Sequence, residues 1–204
     1  SNSSAASDVY KRQSYYRLLY SIPEKAYVFE VIPENELNEK QILSQIIVDD
    51  EHTKFWTAIG EEVQISDDMF DKRMGKSSLT VRISKGVRLF SEFIEISFKT
   101  PQNYTSVDFF SFHFKGVNSR KPIWFRFDFE DGWVCYRFVD NFHGWRRIQF
   151  DKSAYTNSGG TIEWSKTKRI LFATTRKLDS EIVWKIDYVR FGEYIYEQTT
   201  EQDK

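Results

Sequence analysis

Trp124, Arg126 and Asp128 stand two residues apart in PIWFRFDF, and Trp133, Cys135 and Arg137 do the same in GWVCYRFV. A flat indole can stack on the C–H face of a sugar ring, while a guanidinium forks toward hydroxyl or carboxylate oxygens and a carboxylate accepts from hydroxyls. His113 in FFSFHF and Arg147 with Gln149 in GWRRIQF continue the spacing. Together His113, Trp124, Arg126, Asp128, Trp133, Arg137, Arg147 and Gln149 form a candidate ligand-binding set. Its chemistry suits a saccharide, and the arginines point toward acidic sugars because a guanidinium pairs well with a carboxylate or sulfate. Two other readings share the pattern: Arg126, Asp128 and Arg137 could be an ordinary cross-strand ion-pair ladder, and the N-terminal segment could cover the face. Two outward tryptophans favour a binding surface, since large exposed rings mark interaction sites.

The elements that must position this set are strands. From Phe109 to Phe150 apolar residues recur at every second position, which buries one side of a pleated sheet and turns the other to water. The buried side takes Phe110, Phe112 and Phe114, then Ile123, Phe125, Phe127 and Phe129, then Val134, Tyr136 and Phe138, then Ile148 and Phe150. Asp131-Gly132 reads as a tight hairpin, so the outward residues on either side of it are cross-strand neighbours. Further strand-like runs cover 46–48, 55–57, 62–65, 78–83, 87–99, 170–174 and 182–191, separated by turn signals such as Gly75, Gly116, Gly144 and Gly159-Gly160. Many short strands with almost no helix between them predict an all-β antiparallel sandwich or barrel.

The 204 residues divide into a disordered leader (1–14), an N-terminal extension (15–45), the β domain (46–195) and a polar tail (196–204). Residues 15–32 hold two aromatic-aliphatic runs broken at Pro23, which fit short strands. The stretch 33–45, with Pro33 near its start and acids early, predicts a short helix. Lys and Arg total 29 against 30 Asp and Glu, so no global field attracts nucleic acid or an anionic membrane. No apolar run is long enough for a membrane span. Cys135 has no partner for an internal disulfide and reads as a small sheet residue.

Catalytic and metal motifs are sparse. Asp128 and Glu130 stand at a spacing that could place two carboxyls on one face, but Glu130 reads as a solvated residue of the EDG turn. Gly75-Lys76-Ser77-Ser78 lacks the first glycine of a phosphate loop, Phe70 standing there, and a strand follows it. His52, His113 and His143 are too dispersed for zinc. Asp49, Asp50, Asp67, Asp68 and Asp187 are candidate oxygen donors for calcium.

The order of FWTAIG, GKSSL, FFSF, FHGWRRIQF and IDYVRF along residues 46–192 resembles galactose-binding-like jelly rolls: the non-catalytic carbohydrate-binding modules of glycan-degrading enzymes and the N-terminal domain of chondroitin-sulfate lyases. The resemblance implies an antiparallel β-sandwich that binds an oligo- or polysaccharide as a monomeric, secreted or cell-surface module. It also implies a structural calcium held between Asp50 and Asp187, and a structural role for Trp145. Alternatives are a protein-interaction domain on the same scaffold, or a jelly-roll lyase or glycosidase acting through Asp128 with His113 or a tyrosine.

Overall fold

A computed structural model describes residues 15–21, 26–32, 42–49, 51–84, 92–174 and 180–194. Fourteen strands run in order: β1 (Tyr15–Ser21), β2 (Ala26–Ile32), β3 (Ile42–Val48), β4 (Thr57–Ile59), β5 (Val63–Asp68), β6 (Ser78–Ile83), β7 (Phe93–Gln102), β8 (Phe109–Val117), β9 (Pro122–Asp128), β10 (Gly132–Val139), β11 (His143–Asp151), β12 (Asn157–Gly160), β13 (Thr167–Thr174) and β14 (Ile182–Tyr194). They build two antiparallel sheets and a separate β1–β2 hairpin. Sheet I has the order β12-β10-β9-β13-β7-β4. Sheet II has the order β11-β8-β14-β6-β5, with β3 also paired to β14.

The fold is a β-sandwich, one of the two architectures that the alternation allows and the one that the resemblance implies, and the runs on either side of Pro23 are the strands β1 and β2. The helix expected over 33–45 differs. Ile42–Gln45 belong to β3, which pairs antiparallel with β14 from Ile42 opposite Tyr194 to Val48 opposite Val189, with a register shift between Val189 and Arg190, and 33–41 lie outside the described residues. β-Branched Ile42, Ile46, Ile47 and Val48 favour a pleated surface, and the long β14 offers a free edge for them. The leader 1–14 and the tail 196–204 also lie outside the described residues.

Between the sheets sits an aromatic core. Phe110, Phe112, Phe114, Phe125, Phe127, Tyr136, Phe138, Phe172 and Phe191 are buried with Trp56 and Trp184. Phe110 meets Phe127 at 4.4 Å between ring centroids, and Phe112 meets Phe172 edge-on at 4.8 Å. Each contact joins a strand of sheet II to one of sheet I. Burying one such ring contributes on the order of 2–3 kcal/mol, so these pairs fix how the sheets face each other. The Tyr136 hydroxyl, inside this core, donates to the Lys152 carbonyl at 2.6 Å, which satisfies the one polar atom that Tyr brings where Phe would bring none.

The chain changes sheet between β8 and β9 and again between β10 and β11. Both crossings are organised by Asp140, which is fully buried. Its carboxylate accepts the Val117, Asn118 and Ser119 N–H groups and the Ser119 hydroxyl at 2.7–3.2 Å. Its own carbonyl accepts from Arg120 N–H. Asn118 and Arg120 both sit at φ 58°, a left-handed conformation that such a dense network can hold.

Candidate functional site

On the outer face of sheet I, register places side chains in rows across the strands. One row runs Gly159, Trp133, Asp128, Arg169, Ser97, across β12, β10, β9, β13 and β7. The next runs Asn157, Cys135, Arg126, Leu171, Glu95, Thr57. A third holds Arg137, Trp124, Ala173, Phe93 and Ile59. All face outward because the intervening Val134, Tyr136, Phe125, Phe127, Ile170 and Phe172 fill the core.

Charge and aromatic rings interlock here. Asp128, 8% exposed, takes Arg126 Nε on one oxygen and Arg169 Nε on the other, each at 2.5 Å. Arg169 continues to Glu95 at 2.9 Å. An ion-pair ladder therefore exists, but it runs Arg126–Asp128–Arg169–Glu95 instead of through Arg137 as the sequence suggested, and rings are built into it. Arg126 lies over the Trp133 indole at 4.7 Å, Arg137 over Trp124 at 5.8 Å and Arg169 over Phe93 at 5.6 Å. Each guanidinium is thus oriented by a ring. Trp133 lies so close to β12 that a Cβ on Gly159 would come within 2.8 Å of its indole nitrogen. Beside the first row opens a cavity of about 390 Å³, lined by Ser97, Phe98, Lys99, Pro101, Asp128, Phe129, Lys168 and Arg169, within the size range of small-ligand sites.

Of the predicted set, the structure brings together Trp124, Arg126, Asp128, Trp133 and Arg137. His113, Arg147 and Gln149 do not join them, because β8 and β11 belong to sheet II and their outward side is the opposite face of the sandwich. A single surface holding all eight is corrected to two surfaces. On sheet II, Arg147, His113 and Asp187 share a row. Burial, seconded by the Arg73 charge and opposed by Asp187, pulls the His113 imidazole down to about 4. Its ring stacks beside Tyr188 at 6.0 Å, and Arg147 donates to Gln149. Trp145, expected to be structural, donates its indole N–H to Asp71 at 3.0 Å.

Sequence reasoning missed Arg169, Glu95, Ser97 and the basic pair Lys99 and Lys168 at the cavity. The run 170–174 was begun one residue late for Arg169, whose outward side follows from the buried Ile170 and Phe172. Glu95 and Ser97 were legible from the parity of Ile94 and Ile96. Cys135 is a buried sheet residue as expected, and burial pushes its thiol up to about 12. Glu130 is exposed and pairs with Lys168 at 2.5 Å, as its place in the turn implies.

Asp187 is fully buried and hydrogen-bonded through one oxygen only. One of its oxygens accepts the Arg73 and Met74 N–H groups at 2.6 and 2.9 Å. The other faces His52 Nε2 at 3.6 Å, and that nitrogen donates to the Ser77 carbonyl at 3.0 Å. That second oxygen is buried with no hydrogen-bond partner, so Asp187 keeps one oxygen available to a cation such as calcium, which takes six to eight oxygens. Asp50 lies outside the described residues, and among the described residues no three His, Cys, Asp or Glu side chains gather as a metal site.

This architecture is similar in fold to several β-sandwich carbohydrate-binding modules. The family 11 carbohydrate-binding module of a cellulosomal cellulase of Clostridium thermocellum superposes with a TM-score of 0.59 at 14% identity, over 76% of this chain and 98% of that one. The same kind of module has been seen in complex with a β-1,3-1,4-mixed-linked tetrasaccharide. A family 30 carbohydrate-binding module matches with a TM-score of 0.54 at 13% identity, over 81% of this chain and 95% of that one. An exo-β-agarase matches with a TM-score of 0.56 at 8% identity, over 72% of this chain and only 24% of its own length. No protein-family model matches the chain, and no curated protein matches it.

Proposed function

We propose that the chain is a non-catalytic carbohydrate-binding domain that holds an oligo- or polysaccharide on the outer face of sheet I. The observation that carries this reading is the row Trp133–Asp128–Arg169–Ser97 ending in the cavity. It sets a ring, forked donors and a hydroxyl along one line about 4.8 Å per strand, the kind of spacing over which a sugar chain offers successive faces and hydroxyls. Trp133 and Trp124 stack, Arg126, Arg137 and Arg169 donate, and Asp128 accepts. His113 and Arg147 cannot reach the same ligand. We further propose that the domain serves as an accessory module of a glycan-active protein outside the cell or at its surface.

Catalysis through Asp128 is disfavoured by its geometry. Two guanidiniums occupy its oxygens and Glu130 is turned to Lys168, so the two carboxyls do not face one point as a glycosidase pair must. Titration calorimetry against a panel of soluble plant, algal and bacterial polysaccharides tests the function. Binding to at least one is expected, weakened about tenfold by Trp133→Ala, the worth of one aromatic stack. Absence of binding across the panel, or an affinity indifferent to Trp133→Ala and Trp124→Ala, would falsify the reading. Turnover abolished by Asp128→Asn in a folded protein would make it an enzyme instead.

A further inference from the structure

The loop from β5 to β6, MFDKRMGKS over residues 69–77, turns its apolar side chains to water. Phe70 is 98% exposed, Met69 66% and Met74 42%. Its backbone is nonetheless held from beneath. Asp68 accepts the Phe70 and Asp71 N–H groups. Asp71 reaches inward to Lys115, Lys185 and Trp145, and its carbonyl accepts from the Ser78 hydroxyl at 2.6 Å. Asp187 takes the Arg73 and Met74 N–H groups. The turn at 52–54 is tied to the same end of the sheet, since Thr53 donates to Asp67, and it adds Phe55, 51% exposed. The loop's one carboxylate is therefore spent inward, while Lys72, Arg73 and Lys76 lie exposed around the apolar tip.

We propose that this tip is a peripheral membrane contact for a bilayer carrying anionic headgroups. A convex tip of Phe and unbranched Met, already ordered, suits a deformable interface that closes around it. The basic collar matches phosphate and carboxylate headgroups. The chain's net charge of −1 provides no long-range attraction, but a collar acts within the Debye length of about 8 Å. The contact is interfacial: no helix among the described residues is long and apolar enough to cross a membrane. Because the loop lies over sheet II and the saccharide face is on sheet I, a bilayer and a glycan can be held at once, and neither proposal depends on the other.

Co-sedimentation of the full chain with vesicles of phosphatidylcholine, alone or with about one third phosphatidylserine, tests it. The wild type sediments with the anionic vesicles and poorly with the neutral ones. Met69→Ser with Phe70→Ser lowers the bound fraction's apparent affinity about tenfold. Lys72→Glu with Arg73→Glu removes the preference for phosphatidylserine. The melting temperature of the serine variant stays at the wild-type value, since the Met69 and Phe70 side chains point to water. The proposal fails if the wild type ignores anionic vesicles, if the serine variant binds them equally, or if the tip instead drives a concentration-dependent dimer that the serine variant loses.

Discussion

At the scale of single residues, the face proposed for saccharide binding depends on small groups as much as on rings. Gly159 is needed because the Trp133 indole lies across it, and a methyl there would meet the ring nitrogen at 2.8 Å. Gly159→Ala is expected to tilt the indole and to cost about 1–2 kcal/mol by overpacking. Calorimetry should show the same glycan bound more weakly, and an unchanged affinity would mean that Trp133 does not touch the ligand. The residue types of this site were readable beforehand: Trp124, Arg126, Asp128, Trp133 and Arg137 are recognisable by kind and by parity alone. Arg169 was not, because its importance comes from Asp128 on a strand 41 positions away in sequence, and no local pattern encodes that pairing.

At the scale of elements, two carboxylates, the buried Asp140 and the half-buried Asp71, hold the connections in place. Asp140 satisfies the donors of the β8–β9 crossing, so Asp140→Ala leaves several buried N–H groups without partners, at about 1–3 kcal/mol each. A drop in melting temperature large for a single substitution is expected, with Asp140→Asn intermediate because its side-chain oxygen still accepts. Asp71 gives the β5–β6 loop a pH dependence. Burial works to raise its pKa, but Lys115, Lys185 and Trp145 prevail and hold it well below its ordinary 3.8. The unfolded chain then takes up this proton first, so the stability that Asp71 contributes is complete above about pH 4 and is lost as the pH falls below it. Chemical denaturation from pH 6 down to 3 should show a steeper loss for the wild type than for Asp71→Asn, and equal slopes would remove Asp71 from the account. Neither carboxylate stood out in the sequence. Asp140 acts on backbone N–H groups and Asp71 on the side chains of Lys115, Lys185 and Trp145, all on segments whose approach follows from the fold.

At the scale of the whole molecule, the last strand meets the beginning of the sandwich beside His52, which donates to the Ser77 carbonyl and leaves a buried Asp187 oxygen unpaired 3.6 Å away, where the family resemblance places calcium. If calcium fills this position, as the resemblance implies, melting curves in millimolar calcium lie several degrees above those in chelator, and Asp187→Asn abolishes the difference; coinciding curves would remove calcium from the account. The N-terminal hairpin, a candidate cover for the binding face, runs alongside β11 at the edge of sheet II, the sheet that does not carry the Trp124 and Trp133 rings. The sequence by itself determined the class of fold, the inward and outward sides of nearly every strand between Phe109 and Phe150, and the residue types at the surface. Alternation at period two is a property of each strand alone, so it is legible locally. Which sheet each strand joins is settled by the crossings at Asp140 and by Phe110, Phe112 and their partners packing between the sheets. Only the tertiary structure could therefore place His113 and Arg147 on one face of the sandwich and the two tryptophans on the other.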